Sequence, residues 1–261
     1  MQLASWNVNS LRVRLPQVLD WLGQAEPDVL ALQETKVTDD AFPSRELAEA
    51  GYQSVFIGQK TYNGVAILTR HNTATDIVTE IANLDDPQRR VIAATIGGVR
   101  VYNVYVPNGQ SLGSDKFHYK LRWLRALHAQ LREELQQHRA VAVTGDFNIA
   151  PEDRDVHDPA AWSGQVLVSE PEREALGQLT SLGFRDTFRL FEQPDASFSW
   201  WDYRAAAFRR NRGLRIDLVL ASDALADACV ASSIDRIPRG WERPSDHTPV
   251  TATFAADRLF V

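Results

Sequence analysis

Several short apolar segments of this chain end abruptly in a carboxylate. Val29–Leu32 is followed closely by Glu34, and Val141–Val143 is followed closely by Asp146. Nearly continuous apolar runs of this length are typical of strands that are buried on both faces. Because such strands need cover on both sides of a sheet, the chain is restricted to layered folds.

Leucines at helical spacing and alternating segments predict the remaining elements. The predicted helices are 10–26, 43–50, 115–138 and 169–182. The predicted strands are 2–8, 28–34, 52–57, 64–70, 91–96, 99–106, 140–144, 184–190, 198–203, 214–221, 230–237 and 248–254. Ser169 and Glu172 form a capping box at the start of the last helix. Residues 150–168 have no clear periodicity and predict a long loop.

This order of elements favours an α/β (α+β) four-layer sandwich, with two packed sheets flanked by helices. Helices alternate with strands too irregularly for a barrel of eight strand–helix units. No segment has the composition of a linker, so we expect residues 1–261 to form a single domain. We find no signal-peptide pattern, no apolar run near the roughly 18 residues of a membrane span, and one cysteine, Cys229. These features predict a cytoplasmic protein without a membrane contact, and a monomer by default.

The net charge of −6 argues at first against a nucleic-acid partner. The chain has 24 arginines against four lysines, however, and five of the arginines lie between residues 204 and 215. Arginine can grip a phosphate through two parallel hydrogen bonds, which lysine cannot do. A solvated basic loop explains this segment equally well, so charge alone leaves both interpretations open.

Six polar side chains lie at or close to the ends of predicted strands. They are Asn7, Glu34, Asp146, Asn148, Asp217 and Asp246. Each one alone could be a cap or a turn residue. If two sheets face each other, however, these ends converge on one rim. Carboxylate and carboxamide oxygens suit Mg²⁺ or Mn²⁺, whereas zinc normally takes several His or Cys ligands.

The segment Ser245-Asp246-His247 enters the last strand between two prolines. A surface loop explains the pair when it is taken alone. Beside a hard divalent ion, such residues suit hydrolysis of a phosphate ester. On this hypothesis Asp146 positions or deprotonates the attacking water, with Asn148 on the same side, and His247 contacts a phosphate oxygen, oriented by Asp217.

Tyr105 lies at the end of the predicted strand 99–106. Its phenol could bind phosphate or assist the leaving oxygen. An ordinary strand aromatic residue is the alternative interpretation.

Six motifs occur in an order that resembles the exonuclease III family. They are Trp6–Arg12, Leu32–Lys36, Tyr105–Asn108, Gly145–Asn148, Leu214–Asp217 and Ser245–His247. That family comprises apurinic/apyrimidinic endonucleases within the endonuclease/exonuclease/phosphatase superfamily. The resemblance implies a DNase I-like fold with two mixed β-sheets. It runs from Asn7 to His247, almost the whole chain.

The resemblance also implies roles for the polar set. Glu34 becomes the main metal ligand with Asn7 and Asp246 nearby, while Asp146, Asn148 and His247 lie close enough to join a second ion. Asp146 becomes the base or water-orienting group and Asn148 a stabiliser of the transition state. Tyr105 becomes the partner on the phosphate side, and Asp217 orients His247.

The stretch 198–217 resembles the branch of the family that acts on DNA ends and abasic sites. It contains Trp200, Trp201, Arg212, Leu214 and Ile216. In that branch, positions matching Trp200, Leu214 and Ile216 form a small apolar pocket for a flipped-out abasic sugar. Extrusion of such a sugar costs little because it has no base to unstack. Core packing is the alternative for Ile216.

Asn108 and the loop after it, residues 109–114, are also expected near DNA. Gln110 is the best candidate for a side chain that inserts into the duplex. Ser163 and Gly164, if they lie near the DNA, would leave room for internal abasic sites.

These observations predict a Mg²⁺- or Mn²⁺-dependent DNA-repair hydrolase that acts on double-stranded DNA. It is expected to cleave 5′ to abasic sites and to trim 3′ termini, with a 3′-end-specific exonuclease or phosphatase as the alternative. A phosphoinositide or sphingolipid phosphatase would lack the Trp200–Trp201 and Arg-rich segment. A DNA-binding module without catalysis would be expected to have lost part of the polar set.

Overall fold

The computed structural model describes residues 1–258 as two six-stranded sheets with helices on their outer faces. The strands are β1 (Gln2–Asn7), β2 (Val29–Gln33), β3 (Gln53–Ile57), β4 (Val65–Thr69), β5 (Thr75–Val78), β6 (Val91–Ile96), β7 (Val99–Tyr105), β8 (Val141–Asp146), β9 (Phe184–Asp186), β10 (Asp217–Ser222), β11 (Cys229–Ile234) and β12 (Val250–Phe254). The helices are α1 (Leu11–Ala25), α2 (Ser44–Glu49), α3 (Asp115–Gln137), α4 (Pro159–Trp162), α5 (Glu170–Thr180) and α6 (Asp223–Asp227).

Both sheets are mixed. The first has the order β11-β12-β1-β2-β4-β3 and the second the order β5-β6-β7-β8-β10-β9. Each has one parallel pair near its centre, β1 with β2 and β7 with β8, and its other strand pairs are antiparallel. Helices α1 and α3 make the crossovers that parallel neighbours require.

Three apolar clusters fill the spaces between the layers. Leu3 and Ile67 of the first sheet pack against Val101 and Val219 of the second. The other face of the first sheet packs on α1 and α2, and the other face of the second sheet packs on α3 and α5. The four-layer sandwich predicted from the sequence is therefore confirmed. None of the helices within residues 1–258 combines the length and apolar character needed to cross a bilayer.

Local predictions were wrong at several places. The segment 198–203 forms no strand but only isolated bridges from Trp200 to Leu214 and His247. The strand predicted over 184–190 ends at Asp186, whose side chain accepts a hydrogen bond from the Phe188 amide and starts a 3₁₀ turn. The predicted loop 150–168 contains α4, capped by Asp158.

Two short elements were missed. Strand β5 is a largely exposed edge strand without an alternating pattern, and α6 has only five residues. The single domain over residues 1–261 stays a prediction, and residues 259–261 lie outside the described part of the chain.

Candidate active site

The carboxyl ends of β1, β2 and β8 bring three predicted site residues into contact. The Asn7 side-chain amide donates to Glu34 Oε1 and to Asp146 Oδ2, each at 2.9 Å. Parallel pairing places the ends of β1 and β2 at one edge, and the packing of the two sheets brings β8 to the same edge. Glu34 has φ 51°, a left-handed conformation that is rare for residues with a side chain. Asn7 thus joins two carboxylates that come from different sheets.

A buried Asp–His pair lies beside these carboxylates. His247 Nδ1 is 2.9 Å from Asp217 Oδ2, and Nε2 of the same ring is 3.6 Å from Asp146 Oδ2. Asp217, the first residue of β10, is the antiparallel partner of Asp146, the last residue of β8. Both therefore lie at the same edge of the second sheet. The Ser199 hydroxyl donates to Asp217 Oδ2 at 2.7 Å and fixes that carboxylate.

The buried charges shift one another's ionisation. Burial raises the pKa of Asp146 to about 7, although the neighbouring His247 and the Asn7 amide oppose the shift. Burial alone would lower the pKa of His247, but the Asp217 and Asp146 carboxylates outweigh it and raise that pKa to about 10. At neutral pH the imidazole is therefore cationic, and Asp146 has a pKa suited to a general base.

We predict that His247 of the metal-free protein stays protonated between pH 6 and 8 in an NMR titration of its ring nitrogens. Asp217→Asn should move the midpoint down toward the ordinary value of about 6.5, because it removes the nearest negative charge.

The contribution of this ion pair to the stability of the folded protein is full below about pH 6.5 and is lost as pH rises through about 10. Asp195→Asn, on an exposed loop, is the control. A midpoint near 6.5 in the unmodified protein would contradict this electrostatic account.

Glu34, Asp146 and His247 form a candidate metal site, because one ligand atom from each lies within 4.8 Å of the others. The two carboxylates are hard ligands that fit Mg²⁺ or Mn²⁺. His247 fits less well, since its Nδ1 faces Asp217 and its raised pKa keeps it protonated. The ligand set that fits best is therefore Glu34 with Asp146.

Asp246, expected near the metal, is held by two side chains that were not expected to contact it. Its carboxylate accepts hydrogen bonds from the Asn9 amide and from the Trp200 indole, each at 3.0 Å. The Lys36 ammonium lies 2.8 Å from Glu34 Oε2 and 2.6 Å from Asn9 Oδ1. Asn9 and Lys36 therefore link Asp246 to Glu34. Both residues lie within the motifs Trp6–Arg12 and Leu32–Lys36, but neither was predicted to belong to the site.

The two carboxamides expected at the metal also direct their oxygen atoms elsewhere. Asn7 Oδ1 accepts from the backbone amide of Asn9 at 3.0 Å, and Asn148 Oδ1 accepts from Asn108 Nδ2 at 3.1 Å. The Asn148 amide nitrogen donates to the Val106 carbonyl oxygen at 3.0 Å and lies 3.3 Å from Asp146 Oδ2. In this arrangement Asn7 and Asn148 orient Asp146 through their amide nitrogens, and their role as metal ligands stays a prediction.

Tyr105 pairs with Asp146 in the sheet register and lies at the wall of the site. The Arg90 guanidinium stacks on its ring, with Cζ of Arg90 4.6 Å from the ring centroid. Burial, and then the charges of Glu34 and Asp146, raise the pKa of its phenol well above the usual value. Tyr105 is therefore a neutral hydrogen-bond donor at physiological pH. A cavity of about 680 Å³ opens beside it, lined by residues that include Arg90, Asn108 and Gln110.

The expected apolar pocket is present as a packed cluster. Leu214 and Ile216 are at most 1% exposed and pack with Val156, while Trp200 is half-buried at their edge. The Trp162 ring meets the Trp200 ring edge-on at a centroid distance of 6.4 Å. The apolar wall thus exists, but its deepest side chains are covered in this conformation.

Trp201 and Arg212 have different surroundings. Trp201 is 0% exposed and packs against Phe208, with Arg236 stacked on its ring. This corrects its expected place on a DNA-facing pocket, because no surface of its side chain is open. Arg212 and Gln110 are exposed.

Two packed mixed sheets with a carboxylate–histidine centre at their strand ends define a phosphodiester-hydrolysing enzyme of the DNase I-like class. The chain belongs to the Endonuclease/Exonuclease/phosphatase family, whose model matches residues 4–247. Its relatives identify it as a nuclease of the exonuclease III and AP endonuclease type.

Three relatives illustrate the likeness. Exodeoxyribonuclease III of Haemophilus influenzae is 36% identical over 97% of this chain and 100% of its own length. The structure of a 3′ phosphatase from Neisseria bound to a product DNA hairpin has a TM-score of 0.96 and 48% identity, covering 98% of this chain and 99% of that one. An AP endonuclease from Archaeoglobus fulgidus has a TM-score of 0.93 and 38% identity, covering 97% and 99%.

Proposed function

We propose that this protein is a Mg²⁺- or Mn²⁺-dependent DNA-repair nuclease. It cleaves the phosphodiester 5′ to abasic sites in duplex DNA and removes nucleotides or blocking groups from 3′ ends. The observation that carries the proposal is the position of Asp146, which touches Asn7 and faces His247 beside Glu34. We further propose that it acts as a monomer in the cytoplasm, where its DNA substrate would be the nucleoid.

One centre can serve all these reactions because each of them breaks the bond between phosphorus and a 3′ oxygen. Asp146 accepts a proton from the attacking water, which its place beside His247 and Asn7 allows. The His247 imidazolium donates through Nε2 to a non-bridging phosphate oxygen, while Asp217 holds the ring by Nδ1. Tyr105 donates a hydrogen bond from its neutral phenol to the phosphate, and Asn148 orients Asp146 and stabilises the transition state.

Glu34 and Asp146 would hold the divalent ion. When bound, that ion neutralises the charge that develops on the phosphate. Two cationic side chains add positive charge at the site. Lys36 forms an ion pair with Glu34, and Arg90 stacks on the Tyr105 ring. The exposed Arg212, Asn108 and Gln110 are proposed to contact the duplex.

The alternative is an enzyme specific for 3′ ends, with little action on internal abasic sites. It is favoured by the Trp162 ring, which covers the wall of Trp200, Leu214 and Ile216. The Neisseria relative described as a 3′ phosphatase supports the same alternative.

One assay separates the two functions. Two duplexes are used, one with an internal tetrahydrofuran abasic analogue and one with a recessed 3′ phosphate. Each is incubated with the protein in Mg²⁺ and, in a separate reaction, in EDTA. We expect EDTA-sensitive cleavage 5′ to the analogue as well as release of phosphate. Release of phosphate without internal cleavage would establish the 3′-specific alternative. If neither substrate is cleaved, the proposed function is wrong.

A further inference from the structure

A lysine lies fully inside the protein, directly behind the candidate active site. Lys120 of α3 is 0% exposed. Its Nζ donates to the backbone carbonyl oxygens of Asn108 at 3.1 Å and Asn148 at 2.7 Å, and to Glu172 Oε1. An ammonium group has three protons, so every proton of Lys120 has an acceptor.

Glu172 is equally buried and equally satisfied. Its Oε1 also accepts from the Leu167 amide at 3.0 Å, and its Oε2 accepts from the amide of Ser169 at 3.1 Å and from the hydroxyl of that residue. The bonds to Ser169 form the capping box of α5. The bonds to Lys120 and Leu167 go beyond helix capping, and they tie α5 to the segments behind the site.

The two carbonyl groups held by Lys120 belong to residues at the ends of neighbouring strands. Asn108 follows β7 and Asn148 follows β8, and their side chains bond each other at 3.1 Å. Asn148 has φ 49°, and its backbone amide donates to Asp146 Oδ1 at 2.9 Å. A shift of the Asn148 carbonyl would therefore move two hydrogen bonds that orient Asp146.

We propose that Lys120, paired with Glu172, is a positioning residue for the reaction. It fixes Asn108 and Asn148 relative to Asp146 without touching the substrate. The inference rests on the proposed function, since it assigns a role within the same site. A buried ion pair is not by itself a strong source of stability. This pair instead gives two loops from different strands a single defined arrangement.

Lys120→Met tests the inference against a matched variant, Arg100→Met. Arg100 is also a buried cation, bonded to Glu134 at 3.0 and 3.2 Å, but it lies at the opposite end of β7. Both variants are assayed on the preferred DNA substrate below their unfolding temperatures. We expect Lys120→Met to lower kcat by about 10- to 100-fold with KM nearly unchanged, because small displacements of catalytic groups have effects of this size. Arg100→Met should keep the kcat of the unmodified protein.

A second measurement does not depend on turnover. In ¹⁵N–¹H NMR spectra, the side-chain amide signals of Asn108 and Asn148 should shift in Lys120→Met and stay in place in Arg100→Met. If Lys120→Met does not fold, the double variant with Glu172→Gln removes the unpaired buried carboxylate and is measured instead.

Equal kcat in the two variants, or unmoved amide signals, would overturn the positioning role. If the unmodified protein cleaves no DNA, the proposed function fails on its own, and the amide signals alone then decide the positioning role.

Discussion

Asp146→Asn should lower kcat on the preferred DNA substrate by about 10³- to 10⁴-fold, the range that loss of a general base gives in hydrolases. The carboxamide has nearly the same shape as the carboxylate, so packing around this buried position is kept. It cannot accept the proton of the attacking water, however. It also removes a negative charge that faces His247 and would hold the cation.

The affinity for uncleaved duplex should change little in the same variant. Binding is measured by fluorescence anisotropy in EDTA, and turnover is measured separately in Mg²⁺. Loss of the charge relieves repulsion with the phosphate, so any change in Kd should be toward tighter binding. Asp195→Asn, on an exposed loop, controls for the chemistry of the substitution. Activity within about tenfold of the unmodified protein would show that another group accepts the proton.

The strand ends could be predicted because they depend on local patterns. Buried runs that stop at Glu34 and Asp146 give both the strand and the placement of its polar end. The neighbourhood of Asp217 and His247 was also expected, and the structure places them 2.9 Å apart. What these contacts do in catalysis stays a prediction. Apolar spacing likewise predicted α1 and α3, since this spacing reports an amphipathic face directly.

Other contacts could not be predicted because they join residues far apart in the chain. Lys120 and Glu172 are separated by 52 residues, and nothing in either helix indicates that the other will neutralise it. The hydrogen bonds that hold the Asp246 carboxylate come from Asn9 and Trp200, and its place at the metal stays a prediction. Trp201 is buried because Phe208 and Arg236 both pack against its ring. These two residues come from different segments, so their contact with Trp201 depends on the tertiary fold.

Removal of divalent cations should abolish cleavage, and Glu34→Gln should raise the Mg²⁺ concentration for half-maximal rate by about 10- to 100-fold. The reason is charge, because Gln keeps an oxygen ligand but loses the negative charge that binds the ion. Lys36→Met should have the opposite effect. The Lys36 ammonium, 2.8 Å from Glu34 Oε2, neutralises that carboxylate and repels a second cation. Calorimetric titration of Mn²⁺ into the DNA-free protein gives the same comparison without turnover.

The opposite signs of the two substitutions make the test specific to the site. Loss of stability alone would weaken metal binding in both variants, whereas a change in local charge weakens binding in Glu34→Gln and tightens it in Lys36→Met. Glu242→Gln, on the loop before Asp246, changes the same net charge away from the candidate ligands and should leave the Mn²⁺ affinity unchanged. If Glu34→Gln binds Mn²⁺ as tightly as the unmodified protein, the ion is not held by Glu34. The proton-accepting role of Asp146 would then have to be separated from any role as a ligand.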